Sequence, residues 1–168
     1  VPRRGQIVVL EATAGLPAIR MSGAGQLLAK HGGAAADKSG GANVSPSYLS
    51  TPLSGTVLLG STNEFAGYDT ATTQQVVAEI CRRVTSLMPQ LGALNVLRSW
   101  AGLRPYSSTG PILGHAGGPQ GYAAAIGHGG DGVALSPITG LYLADYIARD
   151  GSHCGLPDFL SGLKSARA

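Results

Sequence analysis

Arg104 stands in an otherwise apolar run, Trp100-Ala101-Gly102-Leu103-Arg104-Pro105, and its charge has to be accounted for. Alternation along a strand puts Arg98, Trp100, Gly102 and Arg104 on one face. A guanidinium drawn out of water needs an acceptor, because an unpaired buried charge is very costly. A carboxylate matches its planar fork with two parallel N–H···O bonds. That carboxylate belongs either to a protein Asp or Glu, in a structural salt bridge, or to a ligand.

The second candidate is Gly127-His128-Gly129-Gly130-Asp131-Gly132, set between an expected strand and an expected helix. Such a turn presents several backbone N–H groups to one ligand, and a following helix adds the positive end of its dipole. Glycines let a flat ligand touch the main chain. The spacing is not the dinucleotide fingerprint G-x-G-x-x-G, so a tight turn without a ligand is the competing reading. His128 could carry a proton or a metal, but a lone histidine is more often hydrogen-bonded structure, and no second metal ligand stands at a recognisable spacing. Tyr48, near a strand end, is read either as core or rim or as a site residue. Ser-His-Asp catalysis finds no G-x-S-x-G elbow.

The elements that must position these groups follow from periodicity. Gln6–Leu10 is a β-branched run and reads as a strand; Tyr48–Thr51 and Gly55–Ser61 read as a hairpin around Pro-Leu-Ser-Gly. Residues 31–41 are small, polar and glycine-rich, and read as a loop or disordered insert. A helix is expected over about 72–91. Val77, Ile80, Cys81, Val84, Leu87 and Met88 give it one apolar stripe, Asp69, Thr70 and Thr72 offer capping oxygens, and Pro89 with Gly92 marks its end. Asn95–Leu103 reads as a strand, Ser107–Gly110 as a turn, and Pro111–Gly114 and Gly121–Ile126 as short strands. Ser136-Pro137 reads as the cap and first position of a second helix running to about Asp150, and residues 157–164 as a short terminal helix. Strands, one long helix, more strands and a helix make an α+β chain with mostly antiparallel pairing.

Composition narrows the rest. The 168 residues suit one core-forming chain, and only 12% are charged, with a formal net charge of +3 and no basic tract. Nucleic acid is therefore not an expected partner. No stretch approaches the ~20 apolar residues of a membrane span, and no basic-then-apolar signal-peptide pattern is expected from these residues. With two cysteines, Cys81 and Cys154, read as reduced thiols, the expected location is cytoplasmic. Gly is unusually frequent at 26 residues and falls in pairs, which suggests close backbone approaches. Val1-Pro2-Arg3-Arg4-Gly5 runs at once into a strand, which reads as a chain opening in mid-domain.

WAGLRP with TGPILG, followed by GYAAAIGHGGDGVALSPITG, resembles the C-terminal half of the FAD-dependent amine and amino-acid oxidoreductases. This is the family of D-amino-acid oxidase, glycine oxidase and sarcosine oxidase. RRGQIVVLEA and GTVLLGSTNEFAGYDTATT fit the same pattern, and the resemblance is weakest over residues 20–45. It implies part of a substrate-binding domain over 1–103 and a segment closing the FAD-binding domain over 104–168. It implies that Arg104 holds the substrate carboxylate, and that His128, Gly129, Gly130, Asp131, Gly132, Val133 and Ala134 make main-chain contacts to the flavin. The helix near Ser136 would then aim its N-terminus at the pyrimidine edge of the ring, which gains negative charge on reduction. Aligning Leu53–Gly55 and Val57–Gly60 puts Tyr48 at a substrate-contact tyrosine.

The implied reaction is dehydrogenation of the CH–NH bond of an amino or imino acid, with hydride passing to flavin N5 and an imine as product. Gly130 stands where glycine oxidase carries a second arginine, which points away from glycine and toward a bulkier secondary amine or imino acid. The family's N-terminal half, which holds the ADP part of FAD, would come from a missing segment or a partner chain. Apolar surface left where that half docks would favour homo-oligomers. The alternatives are a non-catalytic association module with a vestigial site, and a carboxylate binder that uses Arg104 without flavin.

Overall fold

A computed structural model describes residues 1–11, 15–23, 43–51, 55–115 and 119–149. The chain divides into two compact units, Arg3–Leu103 and Val1–Pro2 with Arg104–Ala168. The first is built on a five-stranded sheet of order β2-β3-β4-β1-β5. Its strands are β1 (Pro2–Glu11), β2 (Arg20–Ser22), β3 (Asn43–Thr51), β4 (Thr56–Asn63) and β5 (Val96–Pro105). β1 pairs antiparallel with β4, and β3 with both β4 and β2, so the expected hairpin of β3 and β4 is present. Both strands are longer than the hydrophobic runs that announced them. Residues 52–54, at its turn, lie outside the described residues, as do 31–41 and 157–164. Pro46 falls where the β3–β4 register shifts between Val44 and Ser47. A residue with no N–H is tolerated at such an irregularity.

Helix α1 (Gln74–Leu87) crosses one face of this sheet. Val8 and Leu10 of β1, Tyr48 of β3, Val57 and Leu59 of β4, and Ile80 and Val84 of α1 form the core, with Met88 and Leu91 just beyond the helix. The register explains the selection, because Val8 opposes Leu59, Leu10 opposes Val57 and Tyr48 opposes Leu59. Cross-strand partners share a face, so the period of two in each strand delivers one apolar layer. α1 is shorter than the expected 72–91, since Pro89 opens a separate 3₁₀ turn, Pro89–Ala93. Leu87, expected on the stripe, is exposed, while Val77 and Cys81 pack at the margin of the core. The expected caps are also different. No side chain caps α1 at Thr73; instead the Thr73 N–H donates to Gln6 Oε1 (3.2 Å), and Asp69 Oδ1 accepts from Ala71 N–H (2.8 Å).

The second unit holds an antiparallel pair, β6 (Ile112–Gly114) and β7 (Ala124–Ile126), a 3₁₀ turn (Gly129–Asp131) and helix α2 (Gly132–Ala148). Gly114 has φ +97°, and a Cβ on it would stand 3.1 Å from the Tyr146 ring of α2. The Tyr146 hydroxyl in turn accepts from His115 N–H at 3.1 Å, fastening helix to strand. α2 starts four residues before the expected Ser136. Pro137 therefore lies inside the helix and cannot supply the N–H that the Val133 carbonyl needs. The Ser136 hydroxyl donates to that carbonyl instead, at 2.8 Å. Ser-Pro, read as a helix start, is a repaired gap in the ladder. No described helix is long and apolar enough to cross a membrane.

Candidate functional site

β5 carries the alternation into the second unit. Arg98 and Trp100, two apart, share a face as expected, with the Arg98 guanidinium 4.9 Å from the Trp100 ring centroid. At the strand's end Arg104 is half-buried. Two residues further, Tyr106 forms an isolated antiparallel bridge with His128. This pairing fixes the Gly127–Gly132 turn beside the end of β5. Gly127, at φ +85°, is required there twice over, because a Cβ would also stand 2.9 Å from Ser107 Cβ. A Cβ on Gly130 would meet Arg104 Cδ at 3.5 Å and Nε at 3.6 Å. Arg104 and the Gly127–Gly132 turn, 23 to 28 residues apart in sequence, are thus side by side.

Within the turn the Asp131 N–H donates to the His128 carbonyl (3.1 Å), closing the 3₁₀ turn that leads into α2. Asp131 is the N-cap residue and makes no side-chain capping bond. Gly132, Val133 and Ala134 are therefore the first turn of the helix itself, where N–H groups have no intrahelical acceptor. Val133 is 92% exposed, and Gly130, Asp131 and Ala134 are exposed too. Arg104, the Asp131 carboxylate and the positive end of the helix dipole therefore meet in one place. His128 is half-buried, its Nε2 sharing a hydrogen bond with Thr139 Oγ1 at 3.0 Å. Thr139 had no signal in the sequence beyond its place seven residues into the helix.

Tyr48 belongs to the first unit. Its ring is 0% exposed within the core, and its hydroxyl donates to the Pro17 carbonyl at 2.9 Å. The same unit holds a polar cluster that sequence reasoning missed. Arg4 reaches Glu64 (Nη2–Oε2, 2.6 Å), Asp69 (Nη1–Oδ2, 2.5 Å) and the Ala71 carbonyl (3.2 Å). Gln6 Nε2 (3.0 Å) and the Thr62 hydroxyl also donate to Glu64 Oε1. Burial pushes the Glu64 carboxyl up, but these hydrogen bonds and the Arg4 charge outweigh it and hold it below its ordinary range. The available signal was spacing: Arg4 and Gln6, and Thr62 and Glu64, are each two apart and share a strand face. Burial pushes the Cys81 thiol above its usual value, against a weaker backbone hydrogen bond. A thiol so held is inert at neutral pH.

The family model described as "FAD dependent oxidoreductase" matches residues 1–146. The "Hydrogen cyanide synthase subunit HcnC" of Pseudomonas protegens is 35% identical over 115 residues, 68% of this chain and 28% of that protein. The "Glycine oxidase" of Geobacillus kaustophilus is 33% identical over 110 residues, 64% of this chain and 29% of its own length. The chain thus spans less than a third of these relatives. The crystal structure of glycine oxidase from Bacillus cereus superimposes with a TM-score of 0.71 at 23% identity, covering 94% of this chain and 38% of that one. That likeness is one of fold.

Proposed function

This chain belongs to the FAD dependent oxidoreductase family, and from that premise we propose that it forms the substrate-gripping and flavin-contacting part of an enzyme oxidising the CH–NH bond of a small amino or imino acid. The observation that carries the reading is the approach of Arg104 to Gly130, which sets a guanidinium suited to a carboxylate beside a helix N-terminus with no side-chain cap. The first unit is read as part of the substrate-binding domain. The second is read as the segment that closes the FAD-binding domain.

The donor set fits a flavin. The carbonyl-rich edge of its ring accepts N–H bonds and gains negative charge on reduction, and the turn offers uncapped N–H groups with no Cβ at Gly129, Gly130 or Gly132. His128, Gly129, Gly130, Asp131, Gly132, Val133 and Ala134 would hold it. A bound flavin would supply the hydride acceptor for dehydrogenation of the amine carbon. The chain's own residues do the rest by position and charge. Arg104 pairs with the substrate carboxylate and so orients the adjacent carbon, while the dipole of α2 stabilises charge that develops beside the turn. Gly130 leaves room beside Arg104 for a substrate bulkier than glycine. Tyr48 is read, from the hairpin alignment, as a substrate-contact residue, its hydroxyl donating to the Pro17 carbonyl.

A missing segment or a partner chain would supply the remaining FAD contacts. The test is titration of the purified protein with FAD, followed by a screen of amino and imino acids for bleaching of the flavin absorption. Bleaching that is lost in Arg104→Ala supports the reading. Thermal stabilisation by amino acids with no flavin bound would instead support a carboxylate binder. Flavin bound without any bleaching would point to an association module with a vestigial site.

A further inference from the structure

His128 is tied at three points. Its backbone bridges to Tyr106, its carbonyl accepts from Asp131 N–H, and its ring Nε2 meets Thr139 Oγ1 at 3.0 Å. The first two ties are main-chain and tolerate any side chain. The third is a specific pair of polar side chains spanning the first two turns of α2. Thr139 is 8% exposed and is the one buried residue of the described α2, a position where a polar side chain needs a partner. Gly132 lies close to the same ring, since a Cβ there would stand 3.4 Å from His128 Cβ. The imidazole therefore lies against the start of the helix with its far nitrogen pinned to the hydroxyl.

We propose that Thr139 is a positioning residue that acts through His128 to lock the 127–133 turn, and with it the N–H array beside Arg104. Calling the locked turn a flavin seat rests on the function proposed above. The lock itself does not. A hydroxyl can donate to or accept from either tautomer of the ring, whereas valine, of the same shape, can do neither. With the pair broken, two main-chain ties remain, and the turn samples positions in which its N–H groups no longer converge.

Thr139→Val and Thr139→Ser are compared with the wild type in the complete holoenzyme and after removal of FAD. Two readouts are used: amide hydrogen exchange over 127–133 and the FAD dissociation constant. Exchange in the flavin-free valine variant should rise about five- to tenfold, the loss of one net hydrogen bond, with serine restoring the wild-type rate. FAD affinity should fall by a similar factor in the valine variant and recover in serine. Unchanged exchange in Thr139→Val, or faster exchange that serine fails to restore, overturns the lock, because packing and not the hydroxyl would then hold the turn. If the wild type itself takes up no FAD, the proposed function fails, while the exchange comparison still decides the role of Thr139.

Discussion

Arg104 was legible as a candidate because a cation in the otherwise apolar run Trp100–Pro105 has few comfortable explanations. Its place beside Gly130 was not legible, since that depends on a bridge between Tyr106 and His128 that no local pattern announces. Arg104→Ala should raise KM for the substrate and lower kcat/KM by at least ~100-fold, the scale of a lost charge-assisted pair, with Arg104→Lys recovering only part. Steady-state kinetics on the substrate found by screening checks this, and an unchanged kcat/KM removes Arg104 from the site. For Tyr48 the hairpin alignment implies a substrate contact, while the β3 register sets its ring in the core of the first unit, with its hydroxyl donating to the Pro17 carbonyl. Glu64 gives a pH prediction. Its carboxyl is held below the ordinary range when folded, so its stabilisation is present above the unfolded value of about 4.5 and is lost as pH falls through the lower folded value. Thermal unfolding should therefore weaken on acidification below about pH 5, and Glu64→Gln should flatten part of that slope while costing about 3–5 kcal/mol at pH 7. Parallel acid slopes in the two proteins would mean that the Arg4–Glu64 pair does not govern acid stability.

Elements were legible where one period ran long enough. β1, the β3–β4 hairpin and α1 follow directly from apolar spacing, and Ile80 and Val84 emerge as the buried ridge of the expected stripe. Ends were harder, because they are set by partners distant in sequence. Gln6 of β1 serves the N–H at the start of α1, and no reading of residues 69–73 alone could find it. The start of α2 was misplaced because Ser-Pro is a strong opening signal, whereas here Ser136 covers the carbonyl that Pro137 leaves bare. The weight of these elements can be measured. Ile80→Ala removes a side chain with no exposed surface from the α1–sheet contact and should cost about 2–5 kcal/mol in denaturant unfolding. Ser136→Ala should cost about 1 kcal/mol and fray the first turn of α2, where the proposed cofactor contacts sit. No change in Ser136→Ala would show that water serves the Val133 carbonyl equally well.

At the scale of the whole molecule, α2 poses a physical problem. Val133, Pro137, Leu141, Ala144, Ile147 and Ala148 are exposed and recur at three and four residues, an apolar stripe along the full helix. Val133 is 92% exposed, Leu141 67% and Ile147 65%. A stripe of this kind normally meets another element, and burying each large side chain would contribute roughly 1–2 kcal/mol. The family likeness suggests the element, since the chain spans less than a third of the relatives it matches, and the remainder of such a protein would have surface to offer. Alone, the chain has only itself. Light scattering of the isolated chain should therefore show mass rising with concentration, and Leu141→Glu with Ile147→Lys should suppress the rise without loss of helix by circular dichroism. A monomer at all concentrations would mean that the stripe is covered within the chain, and that the docking of a further element on α2 has to be abandoned.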